Sequence, residues 1–299
     1  GGSTRIPACY NGVFGFQPSA GRIPMRTPRT VHMASAGPMT LYVEDAATII
    51  QVLSGKDPRD PSAIEAEAPN FLGALDKGIQ GCRIAWSRDW GVVPDIEPRV
   101  TAAVEKAAQL FTEAGAIVEA PDIRFPDEQA WQVFLTLNET SYRRGGRLLD
   151  FTPEQQAQLT PPTKQMLELV KSRPAISTEQ WHDALKNRAE VMRWMSGLFA
   201  DHDLICTPTL GIVAPEIPEA PWAQPYPDKY YENHISTCYT YMVNVLGLPA
   251  ASVPCGFIDG LPIGLQIIGP RFADTRVFRA AQAFAGLQPW MAKHPALAL

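Results

Sequence analysis

Charge is scarce in this sequence. Asp, Glu, Lys and Arg together make up 19% of 299 residues, below the usual quarter of a globular chain, and the net charge is only −5. A weakly acidic balance argues against nucleic acid or an anionic membrane as the main partner. Long apolar runs are missing too, so nothing reads as a membrane span. The five cysteines, Cys9, Cys82, Cys206, Cys238 and Cys255, are odd in number and form no C-x-x-C pair, which speaks against a zinc ribbon or a disulfide framework. They read as reduced, mostly buried thiols of a cytoplasmic protein. Common catalytic signatures are equally lacking: no G-x-S-x-G elbow, no H-E-x-x-H, no Walker A loop and no G-x-G-x-x-G. The histidines His32, His182, His202, His234 and His294 show no metal spacing. An ordinary surface or core role is the plainer reading of each.

What is present points to a large core. Hydrophobic residues make up 45% of the chain, enough for one large α/β domain over 1–299, with two domains divided near residue 125 as the alternative. Residues 1–40 are rich in Gly, Pro, Ser and Thr and read as tight turns around brief strands. The apolar spacing turns helical over 42–53. A buried strand over 82–86, a helix over about 97–114 with Val100, Val104, Ala108 and Phe111 on one face, and a strand over 116–119 make a βαβ unit. The sheet is therefore at least partly parallel. Residues 125–200 are mainly helical, with one helix opened by Ser177 and its capping partner Gln180. A buried strand over 204–207 ends at Pro208, and the proline-rich stretch 211–230 reads as a covering loop. A helix near 233–246 precedes two strands, 251–257 and 261–268, whose Asp259-Gly260 junction is a hairpin signal. Asp274 is the expected N-cap of the last helix, which buries Val277, Phe278, Ala281 and Phe284.

The chain opens Gly1-Gly2-Ser3-Thr4-Arg5-Ile6-Pro7-Ala8. Consecutive glycines let backbone N–H groups approach a ligand and point the same way, as an oxyanion hole requires, and a serine beside them is a sensible nucleophile. Alone, Gly-Gly-Ser is also common linker composition. The residues that follow decide between the two readings. Asn11-Gly12-Val13-Phe14-Gly15-Phe16-Gln17-Pro18-Ser19, then Gly21-Arg22-Ile23-Pro24, Gly37-Pro38-Met39-Thr40 and Val43-Glu44-Asp45-Ala46 continue the block. Far downstream come Asp203-Leu204-Ile205-Cys206-Thr207-Pro208-Thr209, a stretch from Asn244 to Ala250, Val253-Pro254, and a segment from Gly260 to Pro270. In this order they resemble the amidase signature family, and the resemblance runs from residue 1 to about 290.

That resemblance implies a mixed sheet flanked by helices. It implies hydrolysis of carboxamide C–N bonds by a Ser–cis-Ser–Lys triad through a serine acyl-enzyme, with no metal and no cofactor. Ser3 matches the nucleophile, and the N–H groups at Gly1, Gly2 and Ser3 match part of the oxyanion hole. Arg5 is expected to be structural, paired with an acid just upstream. The family's lysine and bridging serine precede Gly-Gly-Ser, the serine in a Gly-Ser-Ser-Gly-Gly-Ser run, and no such run occurs here. Lys56, Lys77 and Lys106 fall in segments that match loops and helices. The chain is thus expected to lack an N-terminal portion and, on its own, to be inactive. His234, Thr237 and Tyr241, at i, i+3 and i+7 of the expected helix, match positions that line the acyl pocket, with plain helix packing as the rival reading. Partners reduce to a small-molecule amide, with no nucleic acid and no membrane, and with self-association left open. Two alternatives stand beside the amidase. One is an amidotransferase A-type subunit, disfavoured because Thr237 stands where that subunit carries an aspartate and because its Arg-containing Gly-Phe-Gly block has no counterpart. The other is a catalytically incomplete binding or scaffold protein of the same fold.

Overall fold

The computed structural model describes residues 1–25, 33, 35–93, 97–144, 151–216 and 238–292. They divide into two compact units, one of Gly1–Phe125, Arg193–Ala214 and Ser236–Leu299, the other of Pro126–Met192 and Pro215–Ile235. The described residues of the first unit form a seven-stranded sheet in the order β2-β1-β6-β7-β5-β3-β4. Its strands are β1 (Phe14–Gln17), β2 (Met39–Thr40), β3 (Arg83–Trp86), β4 (Ile117–Glu119), β5 (Leu204–Pro208), β6 (Ala250–Ile258) and β7 (Leu261–Ile268). β5, β3 and β4 run parallel, while the remaining neighbours are antiparallel, so the sheet is mixed and partly parallel.

The parallel part is the βαβ unit that the periodicity predicts. Between β3 and β4 lies α3 (Pro98–Gln109), continued by a 3-10 turn over Leu110–Ala114 and ended by left-handed Gly115 at φ 79°. Pro98 sits in the first turn, where its missing N–H leaves no bond unmade. Val100, Val104, Ala108 and Phe111 are all fully buried on one face. The β6–β7 hairpin turns on Asp259 and Gly260, both at positive φ, the backbone that a two-residue turn between twisted strands demands. Helices α2 (Val43–Leu53) and α9 (Asp274–Leu287) pack with α3 on one face of the sheet. Phe278 of α9 lies at the centre of that layer, with ring centroids 4.2 Å from Phe16, 5.7 Å from Phe71 and 6.1 Å from Phe14.

Side chains alternate across a strand, and here the alternation separates two chemistries. Phe14, Phe16, Leu204, Cys206, Ala251, Val253, Leu265 and Ile267 belong to the apolar core. Their neighbours Gln17, Thr207, Ser252 and Gln266 point to the opposite face and are also buried. A short helix, α1 (Arg5–Asn11), covers that polar face, packing on β1, β6 and β7. It comes so close that a Cβ on Gly15 would lie 2.4 Å from Ala8 Cβ, and one on Gly264 2.9 Å from Cys9 Sγ. Only hydrogen fits at either strand position.

At three places the structure departs from the local sequence pattern. Residues 5–11 are expected as turn and strand but form α1; Pro7 is tolerated there because it falls in the first helical turn, and Gly12 at φ 64° ends the helix. Of the helix expected near 233–246, residues 233–237 lie outside the described residues, 238–240 form a turn, and Tyr241–Leu246 are helical (α8). Asp274 opens α9 without capping it. Its Oδ1 instead accepts the Ser19 N–H at 2.8 Å, and its Oδ2 accepts the Ser19 hydroxyl at 2.7 Å and Arg22 at 3.4 Å.

The second unit is helical where described: α4 (Asp127–Arg144), α5 (Pro153–Ala157), α6 (Pro161–Ser172) and the first part of α7 (Thr178–Asp201). α7 opens with the expected capping box, Ser177 Oγ accepting the Gln180 N–H at 3.1 Å and Gln180 Oε1 accepting the Ser177 N–H at 2.9 Å. The stretch 217–237, including most of the expected proline-rich covering loop, lies outside the described residues. No described helix is long and apolar enough to cross a membrane.

Candidate active site

Ser3 is exposed on a tight turn that leads directly into α1. The turn closes with the Ile6 N–H on Gly2 O at 2.8 Å and the Ala8 N–H on Thr4 O at 3.3 Å. Among the described residues, the N–H groups of Gly2, Ser3 and Thr4 have no acceptor. Gly2 adopts φ 122°, a region that side chains other than hydrogen rarely enter. A Cβ there would also lie 2.3 Å from Thr240 Oγ1 and 2.6 Å from Ile6 Cδ1, so the position admits only glycine on two independent grounds.

What fixes the turn is Arg5, two residues on and fully buried. Its guanidinium donates to Gln266 Oε1 on β7, to Gln17 Oε1 on β1 at 3.0 Å, to Thr240 O at 3.0 Å and to Asn244 Oδ1 on α8 at 2.5 Å. Each amide that gives its oxygen to Arg5 uses its NH2 elsewhere. Gln17 donates to Leu248 O at 3.1 Å, Asn244 to Met33 O at 2.7 Å, and Gln266 to Thr207 Oγ1 at 3.0 Å and Tyr239 O at 2.9 Å. Burial pulls the Arg5 guanidinium down to about 9, still protonated at neutral pH. Its partners among the described residues are neutral oxygens. The same polar face carries a hydroxyl pair, Thr209 Oγ1 donating to Ser252 Oγ at 2.9 Å. Arg5, structural on the sequence reading, is the centre of this network. Nothing local in the sequence marks Gln17 or Asn244 as its partners. One signal does mark the third: Gln266 is the lone polar side chain of an otherwise apolar β7. A buried amide in such a place must have a partner.

Of the expected pocket residues, Tyr241 is buried at the first position of α8. His234 and Thr237 lie outside the described residues, and the turn at 238–240 comes between them and Tyr241. Lys56, Lys77 and Lys106 are all exposed, and no described lysine is buried. A base that must be neutral to work has to be desolvated, and none of these is.

The family profile described as Amidase matches residues 1–278. The chain belongs to the amidase signature family. Similar proteins include the A-type subunit of the glutamyl-tRNA(Gln) amidotransferase of Lacticaseibacillus casei strain BL23, 30% identical over 99% of this chain and 64% of that one. Among solved structures, a bacterial aryl acylamidase of the amidase signature enzymes is 33% identical with a TM-score of 0.77, covering 99% of this chain and 64% of its own. The corresponding amidotransferase subunit from Thermotoga maritima is 27% identical with a TM-score of 0.76, covering 98% and 62%. The chain thus spans slightly less than two-thirds of the length of these relatives.

The thiols of this unit are shielded. Cys9, on α1 beneath the site, is pushed up to about 12 by burial, Cys82 to about 11, and Cys206 and Cys255 well above the ordinary value near 9. A thiol raised on folding stabilises the fold below its unfolded value, and that contribution is lost as pH rises through the folded one. Stability should therefore decline between about pH 9 and 12, and at pH 8 iodoacetamide should leave Cys9, Cys206 and Cys255 unmodified until the protein is unfolded. Mass spectrometry of alkylated peptides, with and without urea, checks this.

Proposed function

We propose that Ser3 is the nucleophile of an amidohydrolase that cleaves the C–N bond of a small-molecule carboxamide. One observation carries the reading: an exposed serine on an ordered turn, beside N–H groups with no acceptor among the described residues, anchored by a buried guanidinium. The Ser3 hydroxyl attacks the carbonyl carbon, and the developing oxyanion is received by the N–H groups of the Gly1–Ser3 turn. The C–N bond breaks, the amine leaves with a proton, and water then hydrolyses the acyl-Ser3 ester. A lysine with a bridging serine, as the resemblance implies, accepts and returns the proton; both are taken to come from residues outside these 299. The aryl acylamidase similarity favours acyl amides as the substrate class. The reduced thiols favour a cytoplasmic site of action.

In the full-length enzyme, hydrolysis in the presence of hydroxylamine should yield the acyl hydroxamate alongside the acid, because the nucleophile intercepts the acyl-Ser3 ester. Amide consumption with no hydroxamate at any hydroxylamine concentration would exclude the intermediate. The amidotransferase reading keeps a foothold in the curated relatives. Glutamine hydrolysis that requires an added partner protein, with no turnover of simple amides, would establish it instead.

A further inference from the structure

Thr240 touches the Ser3 turn twice, and the two contacts come from different parts of the residue. Its hydroxyl donates to Gly1 O at 2.8 Å, and its backbone carbonyl accepts from Arg5 at 3.0 Å. The residue is fully buried, and its position is held from behind. Gln266 donates to the adjoining Tyr239 carbonyl at 2.9 Å, while the Tyr239 hydroxyl donates to Arg88 O at 2.8 Å. The Asn244 N–H also reaches Thr240 O at 3.4 Å. Thr240 is thus a fixed post rather than a mobile side chain, and the Gly1–Gly2 peptide is tied to it.

In a trans peptide the C=O and N–H vectors point in opposite directions. A Gly1 carbonyl held toward Thr240 therefore sets the Gly2 N–H to point away from Thr240. Accepting a bond at the carbonyl also polarises the peptide and strengthens its N–H as a donor. The closeness of the post explains the glycine: Thr240 Oγ1 stands where a Gly2 side chain would begin.

Resting on the assignment of Ser3 as nucleophile, we propose that Thr240 is a positioning residue for the oxyanion hole, its hydroxyl aiming the Gly2 N–H at the developing oxyanion through the Gly1 carbonyl. Thr240 itself touches no reacting atom. Its contribution appears only when charge builds on the substrate oxygen, so it belongs to kcat rather than to ground-state binding.

Thr240→Val keeps the branched shape beside Gly2 and removes only the donor. In the full-length enzyme it should lower kcat by about 10- to 100-fold, leave KM within about twofold, and slow fluorophosphonate labelling in parallel. Thr240→Ser, which restores the hydroxyl, should return kcat to within about threefold of the parent. A Thr240→Val enzyme with kcat within about twofold of the parent overturns the proposal. So does a Thr240→Ser enzyme as impaired as the valine variant, which would assign the loss to packing. If the valine variant does not fold, Thr240→Ser and Thr240→Ala, differing by one hydroxyl, give the same answer: equal kcat values overturn the proposal. Ser3→Ala run beside them separates the two levels. A live Ser3→Ala enzyme defeats the nucleophile assignment, whereas a dead one beside a fully active Thr240→Val defeats only the role of Thr240.

Discussion

Ser3→Ala in the full-length enzyme is expected to lower kcat/KM for any carboxamide it turns over by about 10⁴-fold or more, and to end covalent labelling by fluorophosphonates. The size of the effect follows from the chemistry. No acyl-enzyme can form on a methyl group, and the described cysteines of the first unit whose ionisation is resolved are held as neutral thiols by burial. The contrast with histidine makes the test discriminating. His182 is exposed on α7, and the His202 ring is engaged by Leu198 O at 3.1 Å and Glu119 at 3.5 Å. Alanine at either should leave turnover within about tenfold. A His202→Ala enzyme as inert as Ser3→Ala would replace the lysine-based triad with a serine–histidine one.

Arg5→Lys should be nearly as damaging, but through the fold. A guanidinium presents a planar fork that reaches four oxygens at once; an ammonium on a linear stem cannot. Its reach to Gln17, Gln266 and Asn244 together would fail, leaving buried carbonyl oxygens without donors. The expected loss is about 3–5 kcal/mol of unfolding free energy, read as a lowered urea midpoint at unchanged slope. Activity should fall with it even in the fraction still folded, because the Ser3 turn loses its tie to β1, β7 and α8. A variant within about 1 kcal/mol of the parent would show that the network tolerates a point charge in place of the fork.

These residues also show where sequence reading works and where it stops. The βαβ unit, the β6–β7 hairpin and the inward face of α9 are legible because each writes its period or its turn into consecutive residues. α1 is not, since seven residues containing Pro7 and flanked by glycines carry too little periodicity and become helical by lying on the sheet. Ser3 is singled out by motif and is proposed, not shown, as nucleophile, while Arg5 is legible as structural. The identity of the Arg5 partners is not, because Gln17, Asn244 and Gln266 meet only after folding and no local pattern announces it. Asp274 misleads for the same reason: its sequence neighbours suggest a cap, while its bonds go to Ser19, 255 residues away.

That distance has a temporal side. The anchors of the Ser3 turn lie 239 and 261 residues beyond Arg5, at Asn244 and Gln266. At roughly 5–20 residues per second, a ribosome needs roughly 13–50 s after Arg5 to supply Gln266. For most of that interval the glycines before Ser3 lack Thr240, and for all of it they lack the complete buried guanidinium network. A nascent chain, or one prematurely terminated before β7, would carry the serine without the shaped loop around it. On the proposed role of Ser3, acyl transfer would then become possible only as the last hairpin closes.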